Sequence, residues 1–145
     1  MRGLIQRVSH ACVVVDGEVV GEIERGLLLL LGVQKADTPQ QIDKLLNKVI
    51  AYRVFPDTAG HMNLSLADVQ GGLLIVSQFT LAADTQKGLR PSFSAAMPPA
   101  DAEILFDDFV ARARTRCSVV ATGIFGADMK VQLENDGPVT FLLES

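Results

Sequence analysis

Apolar and polar residues alternate from Leu4 to Val8, from Ala11 to Val15 and from Val19 to Ile23, the period of half-buried strands. Asp16-Gly17 separates the last two, and that dipeptide suits a two-residue hairpin, so the chain is expected to open as an antiparallel ribbon. After Gly26 the alternation stops. Leu27 to Val33 is an apolar run broken only by Gly32, which predicts a central strand covered on both faces. Thr38-Pro39 then offers a cap followed by a first-turn proline, and Ile42, Leu45, Leu46, Val49 and Ile50 recur at helical spacing, which predicts a helix ending near Arg53. From Pro56 to Gly72 no period survives Asp57, Gly60, Asn63 and Gly71-Gly72, and the segment reads as a loop. Leu73 to Val76 is the next strand and runs into Ser77-Gln78-Phe79-Thr80-Leu81. A second helix is expected from about Pro99 to Arg116, with Ile104, Leu105, Phe109 and Val110 on its apolar face. Three strands, near Ser118 to Ala121, Lys130 to Asn135 and Val139 to Leu143, complete the chain.

No internal repeat, heptad run or low-complexity tail interrupts this pattern. It predicts a single α/β domain over residues 1–145, built on a strongly curved, barrel-like, mainly antiparallel or mixed sheet with two main helices. At 145 residues there is room for one core, and two domains would each be starved of one. The 48 % hydrophobic share and mean hydropathy of +0.28 suit strands covered on both faces or a subunit interface.

Charge and cysteine content narrow the function classes. The longest apolar run is far below the ~20 residues of a membrane-spanning helix, and the N-terminus lacks the apolar segment of a secretory signal; a cytoplasmic protein without membrane partners is expected. Cys12 and Cys117 read as free buried thiols. His10 and His61 have no second ligand at metal-site spacing, so no metal or other cofactor is expected. The net charge of −4 argues against broad nonspecific binding to nucleic acid, and no DNA partner is expected, although Lys87 with Arg90 could form a local basic patch. Arg112, Arg114 and Arg116 read instead as a solvated helix end.

The common catalytic signatures are missing: there is no G-x-S-x-G elbow, no phosphate-cradling glycine loop, no H-E-x-x-H and no C-x-x-C. Two polar segments stand out, Ser77 to Leu81 at a strand end and Asn135 to Thr140 between two strands. Each also has a plain structural reading. Ser77 and Thr80 could satisfy backbone groups as a strand leaves the sheet, and Asp136-Gly137 could be a hairpin turn with Pro138 blunting an edge.

Ser77 to Thr85 (SQFTLAADT), Arg90 to Phe93 (RPSF) and Asn135 to Phe141 (NDGPVTF), together with Leu4 to Val8 (LIQRV) and Met62 to Ser65 (MNLS), resemble the characteristic segments of the D-aminoacyl-tRNA deacylases. The likeness extends over essentially the whole chain. It implies hydrolysis of the ester bond of tRNA charged with a D-amino acid, with Ser77, Gln78, Phe79 and Thr80 as the catalytic segment lining the site that holds the 3′ end of the aminoacyl-tRNA. It implies that Gly137 and Pro138 are joined by a cis bond and reach into the partner subunit's site, so that a homodimer carries two sites at its interface.

Physical reasoning is compatible with these roles. A chiral filter must ignore the side chain yet sense where it points, which favours fixed main-chain atoms. Gly137 permits close backbone approach, and proline is the residue at which cis bonds occur. An L-amino acid would be refused by overlap with the wall, whereas glycine could slip through. Arg7 could brace the motif through its five donors, or be an ordinary surface arginine. Met129 could floor the pocket or sit in the core. A covalent Thr80 intermediate lacks a neighbouring base. Attack by water, with backbone N–H groups near Phe79 and Thr80 on the oxyanion and the terminal 2′-OH assisting, is the expected chemistry. The rivals are an RNA-end binding module using Phe79 for stacking, an editing enzyme for another mischarged tRNA, and a structural subunit.

Overall fold

The computed structural model describes residues Met1–Ser145. The elements in chain order are β1 (Arg2–Val15), β2 (Glu18–Ile23), β3 (Gly26–Gly32), α1 (Pro39–Ala51), β4 (Phe55–Pro56), β5 (Met62–Leu64), α2 (Leu66–Val69), β6 (Gly72–Ser77), a single 3-10 turn (Phe79–Ala82), α3 (Pro99–Arg114), β7 (Val120–Thr122) and β8 (Lys130–Glu144).

The opening ribbon folds as its pattern requires. Asp16 and Gly17 both take positive φ, 50° and 80°, the combination a primed hairpin turn needs to match the twist of its strands. The two predicted strands before it are one 14-residue strand, β1, around which the sheet is organised. One edge of β1 pairs antiparallel first with β3, over Arg2–Val8, and then with β2, over Ala11–Val15. Its other edge carries β8 along nearly its full length. β3 pairs parallel with β6, and β6 with β7, so the six-stranded sheet is mixed.

The sheet curls until its ends meet. A Cβ placed on Gly21 of β2 would lie 2.3 Å from the Thr122 carbonyl oxygen of β7, so these backbones touch and leave the barrel nearly closed. Gly26 and Gly72 achieve the same closeness between β3 and β6, where a Cβ on Gly26 would sit 1.9 Å from the Gly72 oxygen.

Alternation along the strands sorts the core into two layers. Leu27, Leu29, Leu31, Leu73 and Ile75 face outward against α1 and α3 and join the larger cluster of 23 buried residues. Val8, Val13, Leu28, Leu74 and Val76 point the other way, into the barrel. The leucine-rich run is therefore covered on both faces, as its sequence predicts.

α1 buries the whole predicted stripe, Ile42, Leu45, Leu46, Val49 and Ile50, and Thr38 and Gln41 form its capping box. In α3 the face differs from the expected one. Ile104 is 67 % exposed, and the buried residues are Ala102, Phe106, Phe109, Val110 and Ala113. These repeat at i, i+4, i+7, i+8 and i+11, a regular helical stripe on which Ile104 does not fall.

The segment expected to be loop from Pro56 to Gly72 contains the small ribbon β4–β5 and the single turn α2. Ser65 and Asp68 form a capping box that starts α2, and the Ser65 amide and hydroxyl hold the Asp68 carboxyl below the usual carboxylate range. Asn63, within the MNLS segment, receives the Arg53 guanidinium and donates to Asp57, which lowers the Asp57 pKa along with the His61 and Ala59 amides. This segment is accounted for by local structure. Finally, the two strands expected at the C-terminus are one continuous strand, β8, interrupted by a bulge.

Candidate active site

Because β3 and β6 run parallel, they end on the same side, with Leu31 opposite Ser77. Beyond that row the chain turns into the 3-10 helix. Gly32 makes room for it: a Cβ there would lie 2.8 Å from the Leu81 Cβ and 3.2 Å from the Gln78 oxygen. The Gln78 amide is tied back to the Leu31 carbonyl at 2.8 Å, and the turn closes through Leu81 N–H to Gln78 O and Ala83 N–H to Thr80 O. At the far end Arg2 donates to the Leu81 carbonyl at 3.1 Å while its Nε binds Glu144 at 2.8 Å. The Phe79 and Thr80 N–H groups, at the start of the helix, have no intrahelical acceptor.

Here the structure opens a cavity of about 390 Å³. Ser77, Gln78, Phe79 and Thr80 line one side, and Met129 and Val131 another. The rest is apolar, with Phe106 of α3 and Phe125 from the β7–β8 connection prominent. Met129 also packs on the barrel-interior cluster, so it belongs to the cavity wall and the core together. Phe125 and Ala127 were not singled out by sequence reasoning. Their only signal is the Gly123-Ile124-Phe125-Gly126-Ala127 run, whose mixture of glycine and apolar residues carries no period.

The Thr80 hydroxyl has one close polar partner, the Gln78 side-chain amide, which donates to it at 2.6 Å. An amide NH₂ is a donor and cannot take the hydroxyl's proton, so the geometry supplies Thr80 with no base. Ser9, His10 and Glu134 do form a hydrogen-bonded group, at 3.2 and 2.6 Å, but it lies on the exposed β1–β8 face away from the cavity. The mouth of the cavity is marked by Phe79, which stacks on Phe93 of the RPSF segment with ring centroids 4.9 Å apart.

The second segment sits elsewhere. Along the β1–β8 ladder Gln6 faces Thr140 and Val8 faces Asn135, so Asp136, Gly137, Pro138 and Val139 bulge out opposite Arg7. Asn135 closes the bulge from within: its Oδ1 accepts the Val139 amide at 2.7 Å, and its Nδ2 donates to the Thr140 hydroxyl at 2.9 Å. Arg7 grips it from the β1 side, Nε to the Asp136 carbonyl at 2.7 Å and Nη1 to the Val54 carbonyl at 2.6 Å. The Gly137–Pro138 peptide bond is cis, and both residues are exposed.

The cavity and the bulge are separate within one chain. Ser77 is level with Leu31 and Gly3, whereas the bulge is level with Arg7 and Leu27, four residues or roughly 13 Å along the strands. The eight residues singled out from the sequence therefore fall into two groups: Ser77 to Thr80 with Met129 at the cavity, and Arg7, Gly137 and Pro138 at the bulge.

Residues 4–144 match the family model described as D-Tyr-tRNA(Tyr) deacylase. The chain belongs to that deacylase family. Among its relatives are proteins named D-aminoacyl-tRNA deacylase from Cellvibrio japonicus, 63 % identical over 99 % of both chains, and from Stutzerimonas stutzeri, 63 % identical over the full length of both. A solved structure named c-Myc DNA Unwinding Element Binding Protein superposes with a TM-score of 0.95 at 41 % identity, over all of this chain and 99 % of that one. A structure titled as that of a probable eukaryotic D-amino acid tRNA deacylase has a TM-score of 0.84 over 99 % of this chain and 98 % of that one; at 17 % identity it supports the shared fold. The deacylase fold thus accounts for the whole domain. No helix is long and apolar enough to cross a membrane.

Proposed function

We propose that this deacylase hydrolyses the ester joining a D-amino acid to the 3′ end of tRNA, releasing the amino acid and free tRNA. The observation that carries the reading is the Phe79–Ala82 turn at the cavity wall, whose first N–H groups have no acceptor within the turn and whose threonine has no base. Such a site is suited to attack by water. The water oxygen adds to the ester carbonyl, and the developing oxyanion is held by the Phe79 and Thr80 N–H groups. The C–O bond to the ribose then breaks, and the proton lost by the water ends on the ribose oxygen with help from the neighbouring 2′-OH. One such donor is worth about 2.7–4 kcal/mol of barrier, a useful share for an already activated ester.

We further propose that the working form is a cytoplasmic homodimer in which the exposed bulge of one copy completes the other's cavity. The bulge stands about 13 Å along the strands from the cavity of its own chain. β8, which carries it, is a 15-residue strand paired on one edge only, with Phe141 and Leu142 exposed. In that arrangement the Gly137–Pro138 main chain checks handedness: an L-amino acid drives its side chain into the wall, a D-amino acid avoids it, and glycine has nothing to clash.

The decisive measurement is turnover of D-tyrosyl-, L-tyrosyl- and glycyl-tRNA by the purified protein. Cleavage of the D-ester with the L-ester spared is expected, and slower cleavage of the glycyl ester. A nucleic-acid binder without catalysis would accelerate none of the three, and an editing enzyme for another charge error would prefer an L-ester.

A further inference from the structure

Most of the 13 lysines and arginines are held by partners within the chain. Arg7 and Arg2 grip carbonyls, Arg112 lies between Asp43 and Asp108, Lys130 pairs with Asp128, and Arg25 covers the Phe55 ring. The side chains without a hydrogen-bond, ion-pair or ring partner are those of Lys35, Lys44, Lys87, Arg90 and Arg114. Lys44 and Arg114 lie on α1 and at the end of α3 remote from the cavity, since α3 lines the cavity through Pro99, Ala102 and Phe106 in its first half.

The other three gather on one side. Asp84 and Ser92 are bridged antiparallel, with both backbone bonds formed at 2.8 and 3.0 Å, and so tie the foot of a loop whose tip is wholly exposed. Lys87 and Arg90 project from that tip. The one acid at its foot, Asp84, accepts the Gln86 amide at 2.9 Å. Lys35 stands close by, its amide bound to Ala95 O at 3.0 Å.

This loop begins just beyond the catalytic turn and ends at Phe93, stacked on Phe79 at the cavity mouth. In the single chain Phe79 is 47 % exposed and Phe93 37 %, an apolar pair left uncovered at the cavity mouth. Exposed stacked rings beside unpaired cations are what a protein uses to hold a single-stranded nucleic acid, bases on the rings and phosphates on the charges. With a net charge of −4, the rest of the surface offers no general attraction that would make such a patch redundant.

We propose that the Asp84–Ser92 loop holds the RNA backbone just ahead of the esterified nucleotide, with Lys87 and Arg90 on its phosphates and Lys35 reinforcing them. This rests on the proposed deacylase reading, because that reading puts a single-stranded 3′ end at the cavity. The loop then supplies affinity for the RNA, and the cavity supplies the chemistry.

The test compares two substrates, D-tyrosyl-tRNA and the D-tyrosyl ester of adenosine, which carries no phosphate. Lys87→Ala/Arg90→Ala removes side chains with no partner in the fold, and Lys44→Ala/Arg114→Ala removes the same charge elsewhere. On the tRNA the loop variant should lose about tenfold in kcat/KM through KM, and its log–log salt dependence should flatten by about 1.4, or about 0.7 for each single-strand phosphate no longer neutralised. On the adenosine ester it should match the parent. Unchanged KM and salt slope on tRNA would overturn the proposal. So would an equal loss from the Lys44/Arg114 variant, which would make the effect one of overall charge, or an equal loss on the adenosine ester, which would make the loop part of the cavity. A parent that cleaves neither ester refutes the deacylase reading itself, and this proposal falls with it.

Discussion

Truncating Arg7 should cost both stability and turnover, and by amounts that follow from its hydrogen bonds. Its side chain is 11 % exposed and gives one bond to the bulge, at the Asp136 carbonyl, and one to the Val54 carbonyl that follows α1. A hydrogen bond with a charged donor contributes about 1.5–3 kcal/mol, so the two set a ceiling of about 3–6 kcal/mol for Arg7→Ala. The Asp136 carboxylate, 3.7 Å away and 56 % exposed, adds little. Water can reach the carbonyl on the exposed bulge once the guanidinium is gone, which brings the expected loss to about 2–4 kcal/mol. For a domain of this size that is a fall in Tm of roughly 6–12 °C. Arg7→Lys should recover about half, because a single ammonium cannot span both carbonyls. Thermal unfolding gives the first quantity, and D-tyrosyl-tRNA turnover at about 25 °C, where the variants remain folded, gives the second. If Tm stays within about 2 °C of the parent, the brace is not bearing the bulge. If Tm falls as expected but turnover holds, Arg7 supports the fold and the bulge has no part in the reaction.

Thr80→Ala should keep a substantial fraction of parental turnover, since the proposed oxyanion donors are backbone N–H groups that alanine retains; complete loss of turnover with intact binding of the tRNA end would point to the hydroxyl as nucleophile. Within α3, Phe109→Ala should destabilise by about 3–5 kcal/mol and Ile104→Ala by less than about 0.5, measured as shifts in the urea midpoint, and comparable losses would mean the helix packs through a different face. Gly26→Ala should prevent the β3–β6 ladder from closing, at a cost of at least about 3 kcal/mol, because its Cβ would lie 1.9 Å from a carbonyl oxygen in the partner strand; a variant that unfolds at the parental urea midpoint would refute that closeness.

Where residue chemistry alone decides local structure, the chain is legible. Asp16-Gly17 can hardly do other than turn a hairpin, and the α1 stripe has one apolar face to bury. The face of α3 is harder to read, because Ile104, Leu105 and Phe106 are consecutive and the choice among them is made by what packs opposite. Ala102 and Ala113, both buried, are too small to mark the stripe. α2 did leave a trace, the Ser65-x-x-Asp68 pattern, which the surrounding glycines obscure. At β8 the Asp136-Gly137-Pro138 sequence reads as a break, yet the ladder resumes because the Asn135 side chain satisfies the Val139 amide and carbonyl that the bulge leaves without ladder partners. The position of the SQFT segment at a strand end was readable from its own residues. The cavity was not, since Phe125 and Phe106 are brought to it by long-range packing.

The absence of catalytic signatures in the sequence has a physical origin in the same architecture. Parallel pairing of β3 with β6 brings their C-terminal ends to one level, and a crevice beyond the ends of parallel strands is a position where ligands are commonly held. What lines this crevice at its polar side is the start of a helical turn, and the groups that the proposed reaction uses there are main-chain N–H donors. Main-chain donors are present at nearly every residue and mark none of them; only their direction matters, and Gly32, Arg2 and the Gln78–Leu31 bond set that direction here. A site that works through peptide groups is therefore invisible to a search for histidines, thiols and carboxylates. Its dependence should show instead at residues that fix the backbone, Arg2 at the turn and Arg7 at the bulge that is proposed to complete the partner's cavity, which is why Arg7→Ala is expected to impair turnover more than Thr80→Ala does.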